Sequence, residues 1–420
     1  MKVFKFGGAS VNSKDRICEL PAILQSYSGE KLLIVISAMG KTTNALEKVA
    51  ETFYAGNSEK AIELFTGIKK DHLDIAKTLL PAEYRNGNSR LPDFFTEVEW
   101  LLHDKPVRDY DYYYDQIVSI GELLSTSIVS DFLNGSGITN RWMDVRDIFV
   151  TDDQFRAANL DWTKTRSNIN NLIDPLFHET DIILTQGFIG STDANENTTL
   201  GREGSDYSAA IFANLLNAES VSIWKDVEGV MNADPKAFPG GRVIGALDYD
   251  EVIEMAFYGA QVIHPKTIKP LQNKSIPLLV KCFLNPGLPG TVIHAKHIKQ
   301  LPPIIVIKKG QILFHLRSND FSFVGEETVA QLYSILSRLH IQANLMQTGA
   351  VTLRICVDQD IEKMEKFILE ASGLFNIETE KGLTLITVRH YQPEVLQSLI
   401  SDREMVLQQW ARETVQTLIR

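Results

Sequence analysis

The sequence predicts an α/β protein: a mainly parallel sheet sandwiched by helices, followed by smaller ferredoxin-like βαββαβ units. Three observations carry this. Short apolar runs rich in Val, Ile, Leu and Phe recur at 3–6, 32–37, 181–185, 221–224 and 277–283, the mark of strands buried on both faces. Helical patterns separate them at about 14–28, 42–56, 59–80, 109–134, 205–217 and 248–258, and parallel neighbours need such crossovers. Beyond Pro286-Gly287-Leu288-Pro289-Gly290 and Leu301-Pro302-Pro303 the order changes to strand 304–316, helix 326–340, strands 341–347 and 350–357, helix 360–371 and strand 374–380. A second such unit begins at Leu383–Val388. It runs through a helix near 393–401 and strands near 405–410 and 413–419, and stops incomplete.

Each element has a local reason. The strand at 3–6 ends in Gly7-Gly8, and that at 32–37 runs into Ala38-Met39-Gly40. Asp248-Tyr249-Asp250-Glu251 has the spacing of a capping box at a helix start. Residues 56–135 hold no convincing strand and read as a polar helical excursion, a candidate lid. Residues 187–200, with Gly187, Gly190, Asp193, Asn195 and Asn197, read as a hairpin-like connection.

A chain of 420 residues suits two or three domains, and the expected division is 1–298 and 299–420. A net charge of −11 argues against nucleic acid or an anionic membrane as partner. No apolar run approaches membrane-spanning length, and the N-terminus is too short and charged for a signal peptide. Cys18, Cys282 and Cys356 are scattered without CxxC spacing, which fits ordinary buried thiols in a reducing cytoplasm. A zinc site is not expected.

Chemistry concentrates at the glycine turns. Thr199–Ala210 contains Gly201-Arg202-Glu203-Gly204-Ser205-Asp206 and opens into a small-residue helix. It suits either a surface helix capped by Ser205 or Asp206, or an anion site in which Arg202 grips a carboxylate or phosphate. Lys5, two residues before Gly7-Gly8, is either an ordinary strand lysine or a cation for a phosphoryl group whose oxygens the diglycine amides approach. Ser37-Ala38-Met39-Gly40-Lys41-Thr42-Thr43 mimics the tail of a Walker loop, but Val35 stands where its first glycine belongs. Glu122 sits in an apolar helix and gains meaning only opposite an ammonium group. Lys225-Asp226, ahead of Met231 and Lys236, forms a loop of a size for a nucleotide. His264, before Pro265, reads as structural. No Ser-His-Asp set, GxGxxG or HExxH is present, so the ensemble points to phosphoryl transfer without a covalent intermediate.

Taken together, these segments resemble the amino-acid kinase family and, within it, the aspartate kinases. The carrying pieces are Lys5-Phe6-Gly7-Gly8-Ala9-Ser10, Ser37-Ala38 through Thr43-Asn44, Gly121-Glu122, Trp142-Met143-Asp144-Val145-Arg146, Thr185-Gln186-Gly187-Phe188, Gly201–Ala210, Asp226-Val227-Glu228-Gly229 and Gly259-Ala260-Gln261-Val262-Ile263-His264-Pro265. They run in family order over about residues 2–293, and the C-terminal units look like ACT regulatory modules. The resemblance implies a catalytic domain at 1–298, a tandem ACT-like region at 299–420, and ATP-dependent phosphorylation of the side-chain carboxylate of L-aspartate. That reaction opens the pathway to lysine, threonine and methionine. By the same resemblance Lys5 stabilises the phosphoryl group and Asp206 orients it. Gly7 and Gly8 cradle the ATP phosphates, Arg202 takes the α-carboxylate and Glu122 the α-ammonium. Ser37, Ala38, Thr43 and Ser205 complete the aspartate pocket. Lys225, Asp226, Met231, Lys236 and Gln261 fall on the nucleotide side. Magnesium arrives on the phosphates, with no protein metal site.

Several positions depart from the family pattern. Lys225 replaces a threonine, Met231 a tyrosine, Lys236 an arginine, Gln261 a lysine, and Glu203 a glycine or asparagine. Ser318, Asn319, Asp320 and Phe321 occupy the turn where an effector such as lysine or threonine would lie, between copies of a homodimer or larger assembly. Two alternatives stand beside this expectation: a kinase of the same fold acting on another amino-acid carboxylate, and a catalytically weak, effector-binding paralogue.

Overall fold

The computed structural model describes all residues except 81–89, 236, 237, 239 and 321. The chain forms two compact units. The first comprises Met1–Val230, Gly245–Ile253 and Ile263–His297; the second comprises Met231–Ile244, Glu254–Val262 and Ile298–Arg420.

The first unit is built on strands β1 (Lys2–Phe6), β2 (Leu32–Ile36), β3 (Arg141–Trp142), β4 (Ile182–Gln186), β5 (Ile189–Ser191), β6 (Asn197–Thr199), β7 (Ser220–Lys225), β8 (Ala246–Asp248), β9 (Leu278–Cys282) and β10 (Thr291–His294). Eight of them form one sheet in the order β3-β4-β2-β1-β7-β9-β10-β8; β5 and β6 make a separate hairpin. All neighbours in the sheet are parallel except β9 and β10. Central β1 and β2 are buried from end to end apart from Lys2, which is why they read as unbroken apolar runs. Trp224 on β7 stacks on Phe6 with ring centroids 5.8 Å apart.

Helices α1 (Lys14–Gln25), α2 (Thr42–Tyr54), α3 (Ser58–Leu79), α4 (Leu91–His103), α5 (Tyr110–Val118), α6 (Ile120–Gly135), α7 (Gly204–Leu215) and α8 (Pro265–Gln272) belong to this unit. The helix expected at 109–134 is two, divided at Ser119. Nor is α6 part of a polar lid: every residue from Ile120 to Asp131 is buried. Its serines and threonines look polar in sequence, but their hydroxyls are consumed internally. Thr126 Oγ1 donates to Glu122 O at 2.8 Å, and Ser125 Oγ donates to Ser37 O at 2.8 Å. The capping box at Asp248 is present, with Glu251 N–H donating to Asp248 Oδ1 at 2.8 Å. Of the three thiols expected to be buried, Cys282 and Cys356 are, but Cys18 is exposed on its helix, α1.

The second unit carries β11 (Ile304–Ser318), α9 (Glu326–Arg338), β12 (Ala343–Thr348), β13 (Thr352–Asp358), α10 (Ile361–Ala371), β14 (Phe375–Arg389), α11 (Pro393–Ile400), β15 (Met405–Trp410) and β16 (Thr414–Ile419). Its antiparallel sheet runs β12-β13-β11-β14-β16-β15. The strands expected at 374–380 and 383–388 are one continuous strand, β14. Register shifts between Lys308 and Leu313, beside left-handed Gly310 and Gly382, divide β11 and β14 each into two halves. The half of β11 from Gln311, with α9, β12, β13, α10 and the first half of β14, has the ferredoxin-like order β14-β11-β13-β12. Its core centres on Phe314, Leu332 and Phe367.

The second copy is complete after all. Its β14, α11, β15 and β16 lack a fourth strand, and Ile304–Lys308 of β11 fills that place, pairing with Leu385–Arg389. Where a second helix would lie, Ala233 and Phe238 pack on Ile305, Ile386 and Val388. On the other face of the sheet both halves contribute to one apolar cluster, Leu313, Leu345 and Cys356 from one and Leu385, Leu407 and Leu418 from the other.

Candidate active site

The carboxyl ends of β1, β2, β4 and β7 are level, because Phe6 pairs with both Ile36 and Trp224 and Ile36 with Gln186. The turns that follow, Gly7-Gly8, Ser37-Ala38, Gly187-Phe188 and Lys225-Asp226, therefore meet along one crest, where ligands of such sheets collect. Close approach demands glycine at two of them. A Cβ on Gly8 would lie 2.7 Å from the Ala38 carbonyl oxygen, and one on Gly187 2.7 Å from Ser205 Cα. Above the crest is a cavity of about 660 Å³. Lys5, Gly7, Gly8, Ser37, Ala38, Thr43, Glu122, Arg202, Ser205, Asp206, Lys225 and Asp226 all line it, residues scattered over more than 220 positions of sequence.

Lys5 and Asp206 form its electrostatic centre. Lys5 Nζ lies 2.6 Å from Asp206 Oδ1, and Lys225 Nζ lies 3.8 Å from the other oxygen, Oδ2. Burial alone would raise the Asp206 carboxyl, but the two ammonium groups outweigh it and hold it below the usual carboxylate range. Glu122 is the opposite case. It is 3% exposed; Oε1 accepts the Ala38 N–H at 3.2 Å, while Oε2 has no partner among the described residues. Burial pushes its carboxyl up to about 8, despite the Ala38 amide and the Lys5 charge.

The turn ahead of α7 is not capped by Ser205 or Asp206. Both lie within the first turn of the helix, the N-cap is Glu203, and no side chain bonds the first amides. Arg202 is exposed at the cavity wall and makes no ion pair among the described residues. This favours the anion site over the capped surface helix. Glu203, one of the departures from the family pattern, has a structural role: its backbone is left-handed, φ +54°, and Oε2 accepts the His264 N–H at 3.0 Å. His264 in turn caps α8 through Lys266 N–H at 3.1 Å, the structural role expected of it. Glu203 thus ties the turn to α8. Glu203→Ala should lower stability by about 1–2 kcal/mol through the lost charged hydrogen bond. Glu203→Gly should lose about 1 kcal/mol less, because glycine relieves the left-handed strain. Urea unfolding of the two variants checks this; equal losses would show that strain does not separate them.

The sequence does not single out Tyr114 or Arg156, yet both line the cavity. Arg156 is left-handed at φ +67°, stacks its guanidinium 4.5 Å from the Tyr114 ring centroid and pairs with Asp111 at 3.2 Å. Nothing in the local sequence Asp152-Asp153-Gln154-Phe155-Arg156 announces that conformation. Met231 and Gln261 belong to the second compact unit, and Lys236 lies outside the described residues. In the second unit, Asp320 accepts from Ser322 N–H and from the hydroxyls of Ser318 and Ser322, which hold its carboxyl well below the usual range. Asn319 Nδ2 donates to Ser372 O at 3.1 Å, and Phe321 lies outside the described residues.

Comparison with known proteins identifies the family. The model of the amino acid kinase family matches residues 1–282. Lysine-sensitive aspartokinase 3 of Escherichia coli (strain K12) is 30% identical over 396 residues, covering 92% of this chain and 86% of that protein. Aspartokinase 1, chloroplastic, of Arabidopsis thaliana is 32% identical over 371 residues, which cover 85% of this chain and 63% of its own length. The crystal structure of E. coli aspartokinase III in complex with aspartate and ADP superposes with a TM-score of 0.80 at 28% identity, covering 100% of this chain and 96% of that one. With a level crest of glycine turns, a buried lysine–aspartate pair and these relatives, the chain belongs to the amino acid kinase family, in its aspartokinase branch.

Proposed function

We propose that the chain transfers the γ-phosphoryl group of ATP to the side-chain carboxylate of L-aspartate, giving 4-phospho-L-aspartate and ADP. The observation that carries this reading is one cavity holding a buried lysine–aspartate pair, Lys5 on Asp206, together with the buried Glu122 carboxyl, whose Oε2 has no partner among the described residues. An α-ammonium group supplies what Glu122 Oε2 lacks, and Arg202, which makes no ion pair among the described residues, supplies a fork for an α-carboxylate. The E. coli relative of this fold was crystallised with aspartate and ADP.

In this reading a β-carboxylate oxygen attacks the γ-phosphorus as the bond to the ADP oxygen breaks. The acceptor is already anionic at neutral pH, so no general base is required. Lys5 stabilises charge on the equatorial oxygens, and Asp206 fixes its direction. Amides of Gly7 and Gly8 approach the phosphates, where a Cβ on Gly8 would collide with Ala38. Ser37, Ala38, Thr43 and Ser205 close the aspartate pocket, and Lys225 and Asp226 adjoin the nucleotide. Magnesium would be carried by the ATP phosphates, held mostly by them and by water, and would neutralise their charge.

The domain assignment at 298/299 and the place of this step at the head of lysine, threonine and methionine synthesis belong to the same proposal. So do a homodimer or larger assembly through the ACT-like region and a cytoplasmic setting. Among the described residues no helix is long and apolar enough to cross a membrane. The E. coli relative is lysine-sensitive, which favours an amino-acid effector at the turn of Ser318, Asn319, Asp320 and Phe321.

The test is a hydroxamate assay with ATP, magnesium and a panel of amino acids. Aspartyl hydroxamate should form, and should fail to form with glutamate or without ATP. Product from another amino acid would move the substrate assignment; no product at high enzyme concentration would favour the effector-binding paralogue.

A further inference from the structure

Asp115 lies within α5, fully buried, and does not line the cavity. Its carboxylate nevertheless controls two segments that do. Oδ2 accepts the backbone N–H of Arg156 at 2.9 Å and of Thr199 at 2.8 Å, and Oδ1 accepts the Thr199 hydroxyl at 2.7 Å. The two segments are also laced to each other: Ala158 N–H donates to Thr199 O at 3.0 Å, and the hydroxyls of Thr151 and Thr198 meet at 2.7 Å.

A carboxylate buried this deeply needs its hydrogen bonds, and here each serves the substrate wall. Arg156 is held in a left-handed conformation that an arginine does not adopt unaided, and Asp115 grips its amide. Thr199 is the last residue of β6 and stands three positions before Arg202. Fixing both its amide and its hydroxyl fixes where the Gly201–Asp206 turn leaves the hairpin. A hydrocarbon at position 115 would leave three donors without acceptors and both segments without a shared anchor.

We propose that Asp115 is a positioning residue for the acceptor substrate: its two oxygens lock Thr199 and Arg156 so that the turn carrying Arg202 is aimed into the cavity. This rests on the reading that the cavity takes an amino-acid carboxylate, and it adds a residue with no contact to the reacting atoms.

The test compares Asp115→Asn and Thr199→Val with wild type in the full chain. Asparagine keeps the shape but presents an NH₂ where a donor already stands. Asp115→Asn should raise the KM for aspartate about tenfold, with kcat and the KM for ATP within about twofold. Thr199→Val should raise it about threefold, and the double variant should be no worse than Asp115→Asn alone. An Asp115→Asn protein with a wild-type KM for aspartate overturns the proposal, and so does one whose loss lies in kcat. If that variant does not fold, Thr199→Val decides, and an unchanged KM there overturns it as well. Aspartate turnover by wild type separately checks the substrate reading. Should another amino acid be the acceptor, the same comparison is made with it.

Discussion

Lys5→Ala lowers kcat by about a thousandfold or more while the fold survives, because the cation that meets the transferring phosphoryl group is gone. Asp206→Asn lowers kcat by a similar factor for a different reason. Lys5 keeps its charge but loses the oxygen 2.6 Å away that holds it. The two variants should part company in stability. Removing the lysine leaves Asp206 with Lys225 at 3.8 Å on its other oxygen. Removing the carboxylate leaves Lys5 buried beside a second lysine with no anion between them, which costs about 3–5 kcal/mol. Steady-state assays with urea unfolding of each variant check both halves. Near-normal turnover in either would refute the assigned roles, and equal destabilisation would refute the asymmetry. The depressed Asp206 carboxyl also gives a pH signature. Its folded value lies below its unfolded one, so its contribution to stability is complete above the unfolded value near 3.8 and is lost as pH falls through the folded value.

Glu122→Gln gives the second large effect, and its sign differs between function and stability. The KM for aspartate rises about 10- to 100-fold, since glutamine offers the α-ammonium no charge. Stability moves the other way. The Glu122 carboxyl has a folded value of about 8 against an ordinary 4.5, so the native state holds a proton that the unfolded chain releases. Wild-type stability therefore falls as pH rises from about 4.5 through 8, by up to a few kcal/mol, and is level above that. The glutamine variant lacks this slope and is the more stable protein at pH 8 and beyond. The same proton is a probe of binding. At pH 7 aspartate should expel nearly one proton as its ammonium ionises Glu122, seen by calorimetry in buffers of different ionisation enthalpy. The variant should expel none. A wild-type protein that releases no proton on binding aspartate would place the ammonium elsewhere.

The sequence made the sheet and the crest legible because both are local. A buried parallel strand is an apolar run, a glycine turn follows it, and Lys5, Glu122, Arg202 and Asp206 each sit beside such a signal. What stayed hidden depends on distant partners. The serines and threonines of α6 look like a solvated face until their hydroxyls are seen bonded to carbonyls and to Gln186. Glu203 is meaningless without His264, sixty-one positions on. Asp115 and Arg156 become a site wall only through Thr199. The C-terminal repeat seemed truncated because its last strand is its first in sequence.

That closing strand has a consequence for how the C-terminal unit is made. One ferredoxin-like copy is threaded through the other as an insertion: residues 310–382 lie between two strands, Ile304–Lys308 and Leu385–Arg389, that pair directly. Lys308 faces Leu385 in the ladder, so the insertion's ends are one tight turn apart and could be joined without stretching the outer copy. Yet the outer copy could not stand bare, since Leu385, Leu407 and Leu418 are covered by Leu313, Leu345 and Cys356 of the inner one. During synthesis Ile304–Lys308 waits for a partner about eighty residues away, and the inner copy, contiguous in sequence, is complete first. The inner copy is thus the template on which the outer one closes.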